Sequence, residues 1–200
     1  SCHIELIIIN DGSDYGLEEE KLAYIRSCHP NFQLVSLEIN RGKGYALREG
    51  VKFSKQSKII FTDIDFPYTR ESFRDVFLAL DGTSNLAVGN RGQEYYQNTP
   101  LFRKWLSKSL RRIMKTFLKL PVDDTQCGIK GFDEKGKEVF LTTEIDRFLF
   151  DLEFIKLASK RKLKVTPVRV QLKEGVVFSK VRLSILLRES LNFFKILFRK

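Results

Sequence analysis

The residues whose types and spacing could do chemistry begin with Asp63 and Asp65, which close the segment KIIFTDID at residues 58–65. Two carboxylates two positions apart at the end of an extended run can share one face, and they repel unless a cation lies between them. A hard divalent ion with oxygen ligands, Mg²⁺ or Mn²⁺, suits such a pair and commonly holds substrate phosphates as well. The plainer alternative is a strand that ends in a turn with two solvated acids, and D-x-D alone does not separate the two. Asp11 follows the apolar run ELIIIN, and Asn40, Gly42 and Lys43 open the segment NRGKGYALREG.

These residues must be positioned by the elements that precede them. Ile59-Ile60-Phe61 reads as a buried strand of a parallel sheet. ELIIIN and FQLVSLEI (32–39) read as two more strands. LEEEKLAYIRS has helical spacing at Leu17, Leu22, Ala23 and Ile25, with acids near its start. Tyr45 to Phe53 reads as a second helix whose amino end points at the same sheet edge. Gly42 and Gly44 give that loop a backbone able to approach a ligand closely. Alternation of strand and helix predicts an α/β fold with a mostly parallel central sheet and flanking helices. Ligands bind beyond the carboxyl ends of such strands. Asp11, the Asn40–Gly44 loop and Asp63/Asp65 are therefore expected along one crevice.

The ordered motifs NDGSD (10–14), NRGKGYALREG (40–50), TDID (62–65), VGNRG (88–92), DDTQCGIKGF (123–132), FLFDLEF (148–154) and PVRV with a later SK (167–180) resemble family 2 glycosyltransferases. The set is most similar to dolichyl-phosphate β-glucosyltransferases, then to polyprenyl-phosphate mannosyltransferases. The resemblance implies the GT-A nucleotide-sugar-binding fold. It places Asp11 against the base and ribose of the donor, with Asn40, Gly42 and Lys43 beside it. It gives the metal and, through it, the diphosphate to Asp63 and Asp65. It sets Asp124 and Gln126 in a loop that closes over the sugar, and Arg91, Arg103, Ser107 and Lys180 around the phosphate of a polyprenyl acceptor. Two positions depart from the pattern: Asp14 follows Ser13 directly, and Pro67 stands where mannosyltransferase relatives often carry a metal-contacting Gln. The resemblance also implies an amino-terminal strand–loop unit of roughly 25–35 residues outside the present 200.

The implied reaction is inverting transfer of a hexose from a UDP- or GDP-linked donor. A hydroxyl acceptor needs a carboxylate base. A lipid phosphate is already largely dianionic, its second pKa being about 6, and needs none. Asp151 and Glu153 lie two apart in a predicted helix and do not share a face. They are expected to orient neighbouring groups, with a base role left open for a hydroxyl acceptor. Two rivals stand beside this reading: transfer to a glycan hydroxyl, and a domain that binds nucleotides and membranes without turnover.

Net charge is +10, and residues 156–200 carry thirteen Lys/Arg against Glu174 and Glu189, so the remainder is close to neutral. Residues 1–180 are expected to form the catalytic domain and residues 181–200 a basic amphipathic helix. Leu183, Leu186, Leu187, Phe194, Leu197 and Phe198 line its apolar face; Arg188, Asn192, Lys195 and Arg199 form its polar stripe. Such a helix suits an anionic membrane interface; the alternatives are packing on its own sheet or on a second copy in a homo-oligomer. Residues 101–120 repeat the pattern, with seven basic residues and no acid. No apolar run approaches the ~20 residues of a membrane span. The expected location is peripheral, on the cytoplasmic face of a membrane. Cys2, Cys28 and Cys127 are odd in number and irregularly spaced, which suggests free thiols. Basic charge concentrated in apolar helices favours lipid over nucleic acid.

Overall fold

The structure is a computed structural model and describes residues 3–92, 120–175, 189, 192, 193 and 195–198. The chain runs β1 (Leu6–Asp11), α1 (Glu19–Cys28), β2 (Phe32–Leu37), α2 (Lys43–Phe53), β3 (Ile59–Phe61), α3 (Arg70–Ala79) and β4 (Leu86–Arg91). It continues with β5 (Lys130–Phe132), α4 (Glu134–Leu141), α5 (Phe150–Lys160) and β6 (Val165–Val170).

β1 and β2 pair in parallel, Leu6 opposite Phe32 and Asp11 opposite Leu37. The other four strands form a sheet in the order β3-β5-β4-β6. β4 and β6 are parallel; β5 runs antiparallel to both β3 and β4. β3 and β4 therefore point the same way, and their carboxyl ends share an edge. Among the described residues the β1–β2 ladder does not join the larger sheet. α2 spans the two parts by packing on β1 and on α4.

Local chemistry explains the boundaries. Thr69 caps α3 by accepting from the Ser72 amide at 3.3 Å, and Asp133 caps α4 by accepting from Gly136 at 2.9 Å. α2 starts at Lys43, two residues earlier than its periodicity suggests, because a tertiary acceptor supplies its cap. The Asp146 carbonyl takes the amides of Gly44 at 2.7 Å and Tyr45 at 3.2 Å. β5 has no hydrophobic alternation to announce it, being only Lys-Gly-Phe, and its place is decided by the neighbours that flank it.

The main core is aromatic. Phe132 and Phe140 stack at 5.3 Å, Phe140 meets Phe154 edge-on at 4.9 Å, and Phe61 lies 5.9 Å from Phe150. Phe61 is the last residue of β3, so this cluster anchors the start of TDID. A second core of Tyr68, Val76, Leu80, Ala87, Cys127, Ile129 and Val170 lies beneath the loop that follows.

The carboxyl-terminal residues that are described dock on the body. Ile196 is buried in the aromatic core, with Phe193 packed beside it. Glu189 accepts the Leu149 amide at 3.1 Å, and Lys156 donates to the carbonyls of Ile196 and Leu197. Glu189, Phe193 and Ile196 follow helical spacing on a face other than the expected apolar one, of which Phe198 is 76% exposed. No helix among the described residues is long and apolar enough to cross a membrane.

Candidate active site

Asn10 folds the NDGSD turn on itself: its Oδ1 accepts the Ser13 amide at 2.8 Å and its Nδ2 donates to the Ser13 carbonyl at 2.9 Å. Gly12 has φ 71°, and a Cβ there would lie 2.6 Å from the Asn40 nitrogen. The turn is thus pressed against the loop after β2. Asp11 clasps that loop with both oxygens, accepting Arg41 N and Gly42 N at 2.8 Å each. The Asn40 side chain is exposed. The close approach made by the two loop glycines is to the chain itself. A Cβ at Gly42 would meet the Asp146 carbonyl at 2.5 Å, and one at Gly44 the Ile145 carbonyl at 2.4 Å.

Lys43 reaches from this loop to the end of β3, its Nζ 2.5 Å from Asp63 Oδ1. The β1, β2 and β3 ends therefore meet in one crevice through Asp11, Gly42, Lys43 and Asp63. Strand alternation does not extend to Asp65, because β3 stops at Phe61 and the chain turns, with Phe66 N donating to the Asp63 carbonyl at 3.0 Å. Asp65 is exposed in that turn, and Phe66 follows at φ 44°, a sparsely populated conformation for an aromatic residue.

The DDTQCG loop forms the opposite wall. Gly128 is pressed against Asp63 there: a Cβ would lie 2.3 Å from Asp63 Oδ2, so the carboxylate or the loop would have to move. The Tyr68 hydroxyl accepts the Gly128 amide at 2.9 Å and the Cys127 thiol at 3.3 Å. Burial pushes the ionisation of both Tyr68 and Cys127 well above the usual range, so both stay neutral. Asp124, 1% exposed as a side chain, takes the Arg91 fork: Nε to Oδ2 and Nη2 to Oδ1, both at 2.8 Å. Arg91 N adds a third bond at 3.1 Å. These two residues thus form a joint at the end of β4. Among the described residues, Gln126 Nε2 and Thr62 Oγ1 are buried without hydrogen-bond partners. Such groups are costly unless a ligand completes them.

Behind the crevice, α2 is stapled to the 143–149 segment. Arg48 is buried and donates to the Ile145 carbonyl at 2.9 Å and to Thr143 Oγ1 at 3.4 Å, and it pairs with Asp146. Glu153 accepts the amides of Glu144 and Ile145, each at 2.9 Å. Asp151 faces Lys130 instead, 2.8 Å away. Sequence reading did not select Arg48, Tyr68 or Lys130. Arg48 lies within a motif but finds its partners about a hundred residues away, and Lys130 is a lone lysine in an apolar run. Arg103, Ser107 and Lys180 lie outside the described residues.

The donor set fits a hard divalent ion held sparsely. Asp63 already faces a cation, and Asp65 offers a second carboxylate two residues on. Among the described residues no three His, Cys, Asp or Glu side chains converge to hold a metal by themselves. One or two carboxylates completed by phosphates and water is the pattern of Mg²⁺ or Mn²⁺ at a nucleotide site.

A crevice at the strand ends, with a Gly-rich turn, a D-x-D pair and a mixed sheet, defines the GT-A nucleotide-sugar-binding fold. Solved structures with that fold align over nearly the whole chain. Glucosyl-3-phosphoglycerate synthase from Mycobacterium tuberculosis in complex with UDP matches with TM-score 0.67 and 16% identity, covering 96% of this chain and 67% of that one. Mannosyl-3-phosphoglycerate synthase from Rubrobacter xylanophilus matches with TM-score 0.65 and 13% identity, covering 98% and 63%. The chain belongs to glycosyl transferase family 2, whose model matches residues 1–156. Curated relatives include dolichyl-phosphate beta-glucosyltransferases. One from Trichomonas vaginalis is 29% identical, covering 96% of this chain and 61% of the relative. That of Dictyostelium discoideum is 28% identical, covering 83% and 54%, and that of Homo sapiens 27%, covering 83% and 55%. The chain spans between half and two thirds of the length of these relatives.

Proposed function

We propose that this chain carries the catalytic site of a metal-dependent, inverting hexosyltransferase that moves a sugar from a nucleotide donor to a polyprenyl phosphate, with dolichyl phosphate as the acceptor type. The observation that carries the reading is the convergence of Lys43, Asp63 and Gly128 at one point of the strand-end crevice. Relatives named for glucosyl transfer to dolichyl phosphate support the acceptor class. A structural neighbour bound to Mn²⁺ and UDP-glucose supports a divalent ion and a nucleotide-sugar.

In this reading Asp63 and Asp65 would hold Mg²⁺ or Mn²⁺, and the ion would supply charge neutralisation at the departing diphosphate. Lys43 then faces both Asp63 and the phosphates. Asp11 holds the Gly-rich turn at the nucleotide end. Gln126 Nε2 donates to a sugar hydroxyl. The acceptor phosphate oxygen attacks the anomeric carbon as the bond to the diphosphate breaks on the opposite face, which inverts the configuration. Arg103, Ser107 and Lys180 hold the acceptor phosphate, and Arg91 faces it while joined to Asp124. Residues 181–200 place the site at an anionic, cytoplasm-facing membrane surface.

Transfer to a glycan hydroxyl is the second reading. It needs a carboxylate base, and Asp151 lies within electrostatic reach of Lys43 and Asp63. Turnover of radiolabelled UDP- and GDP-sugars with polyprenyl phosphate, with and without chelator, tests the proposal. Arg103→Ala is expected to weaken lipid-phosphate use far more than donor binding. Equal loss of both, or comparable rates on hydroxyl acceptors, removes the phosphate assignment. Donor binding without any turnover favours a non-catalytic domain.

A further inference from the structure

We infer that Lys130 and Asp151 are positioning residues for the transfer, a buried ion pair that sets the 123–128 loop at its height against Asp63. This rests on the reading above, in which the crevice performs the reaction. Lys130 occupies the middle of the sheet, opposite Phe61 on β3 and Val88 on β4. Those two strands lead to Asp63 and Arg91. Its side chain is 0% exposed. A buried ammonium is unfavourable unless paired, and a hydrophobe would fill the same space.

What the ammonium adds is a grip on two oxygens from different elements. Nζ donates to the Cys127 carbonyl at 2.6 Å and lies 2.8 Å from Asp151 Oδ1 on α5. The next residue, Gly128, is pressed against Asp63 and donates to Tyr68. A shift at Cys127 therefore reaches Asp63 within one residue. The other end of the loop is fixed by Asp124 on Arg91. Gln126, with its buried unpartnered amide nitrogen, is suspended between two ion pairs.

The geometry gives Asp151 a structural partner: it is 5% exposed and its Oδ1 lies 2.8 Å from Lys130 Nζ. Burial pushes the Asp151 carboxyl above the usual carboxylate range; Lys130 at 2.8 Å and Lys43 oppose that shift without reversing it, and Asp63 adds to it.

The test compares Lys130→Met, Asp151→Asn and the double variant Lys130→Met/Asp151→Leu in the full-length protein. The probes are labelled nucleotide-sugar and polyprenyl phosphate. Each single variant is expected to melt lower and the uncharged double variant to recover the melting temperature. In all three kcat is expected to fall ~10²-fold, the size of effect that misplacement produces. Donor KM should stay within about threefold. Asp151→Asn should keep the shape of the wild-type pH–rate profile. A double variant with wild-type kcat would make the pair structural only and overturn the inference. So would an acidic limb lost in Asp151→Asn but kept in Lys130→Met, the mark of a base. If the single variants do not fold, the double variant decides. If the wild type turns over no polyprenyl phosphate, the functional reading fails, and the strut is read from hydrogen exchange at the Gly128 amide. Faster exchange in the double variant supports it, and unchanged exchange overturns it.

Discussion

Asp63 and Asp65 are chemically alike but structurally unequal. Asp63 is held by Lys43 and crowded by Gly128, whereas Asp65 is exposed in a turn. Asp65→Asn removes a carboxylate proposed to hold the metal without disturbing packing, so activity is expected to disappear while the melting temperature is unchanged. Persistence of activity in the variant, or in excess chelator, would remove the metal from the mechanism. Gly128→Ala attacks the same point from the other side, because its Cβ must displace Asp63 or the loop. Supporting residues of a metal site commonly contribute 10–100-fold in affinity. Mn²⁺ affinity in the presence of UDP is therefore expected to fall by about that much, measured by calorimetry. Wild-type affinity would show that the Gly128 contact does not bear on the metal.

At the scale of elements, the described carboxyl-terminal residues present a buried side and an exposed side. Ile196 is buried in the aromatic core, and Phe198 projects outward. Ile196→Ala is expected to lower stability by about 2–5 kcal/mol, the range for a truncated core residue, read from urea unfolding. Phe198→Ser should leave stability unchanged and weaken sedimentation with anionic vesicles. If Phe198→Ser instead changes stability or oligomeric state and not vesicle binding, the outer face packs on protein rather than lipid. Asp133 makes a simpler test of an element boundary. Asp133→Ala removes both its cap on α4 and the bond it accepts from Asn85 Nδ2 at 2.7 Å, and should cost about 1–3 kcal/mol in the same unfolding measurement.

At the scale of the whole molecule, the net charge of +10 is concentrated beyond residue 156. Each basic residue near an anionic surface contributes about 1 kcal/mol, and salt screens that attraction. Vesicle binding is expected to fall steeply between low and physiological ionic strength while donor binding in solution changes little. Binding that ignores salt would assign the interaction to apolar insertion alone.

The strand-end crevice was legible in the chain before any coordinates. ELIIIN, FQLVSLEI and KIIF announce strands by local hydrophobicity, and the Gly, Asn and Asp after them announce turns. The order of those elements placed Asp11, Lys43 and Asp63 on one edge. Three features depended on tertiary structure. β5 is three residues long and is a strand only because β3 and β4 bracket it. Asp65 sits exposed in a turn because β3 stops at Phe61 and strand alternation does not continue. The glycines of the Asn40–Gly44 loop serve a close approach to residues 145–146, about a hundred positions away. Sequence periodicity records what a residue does relative to its neighbours along the chain. Lys130 meeting Asp151, Arg48 meeting Ile145 and Glu189 meeting Leu149 are contacts between distant segments, and burial sets their energy, so only the folded chain could reveal them.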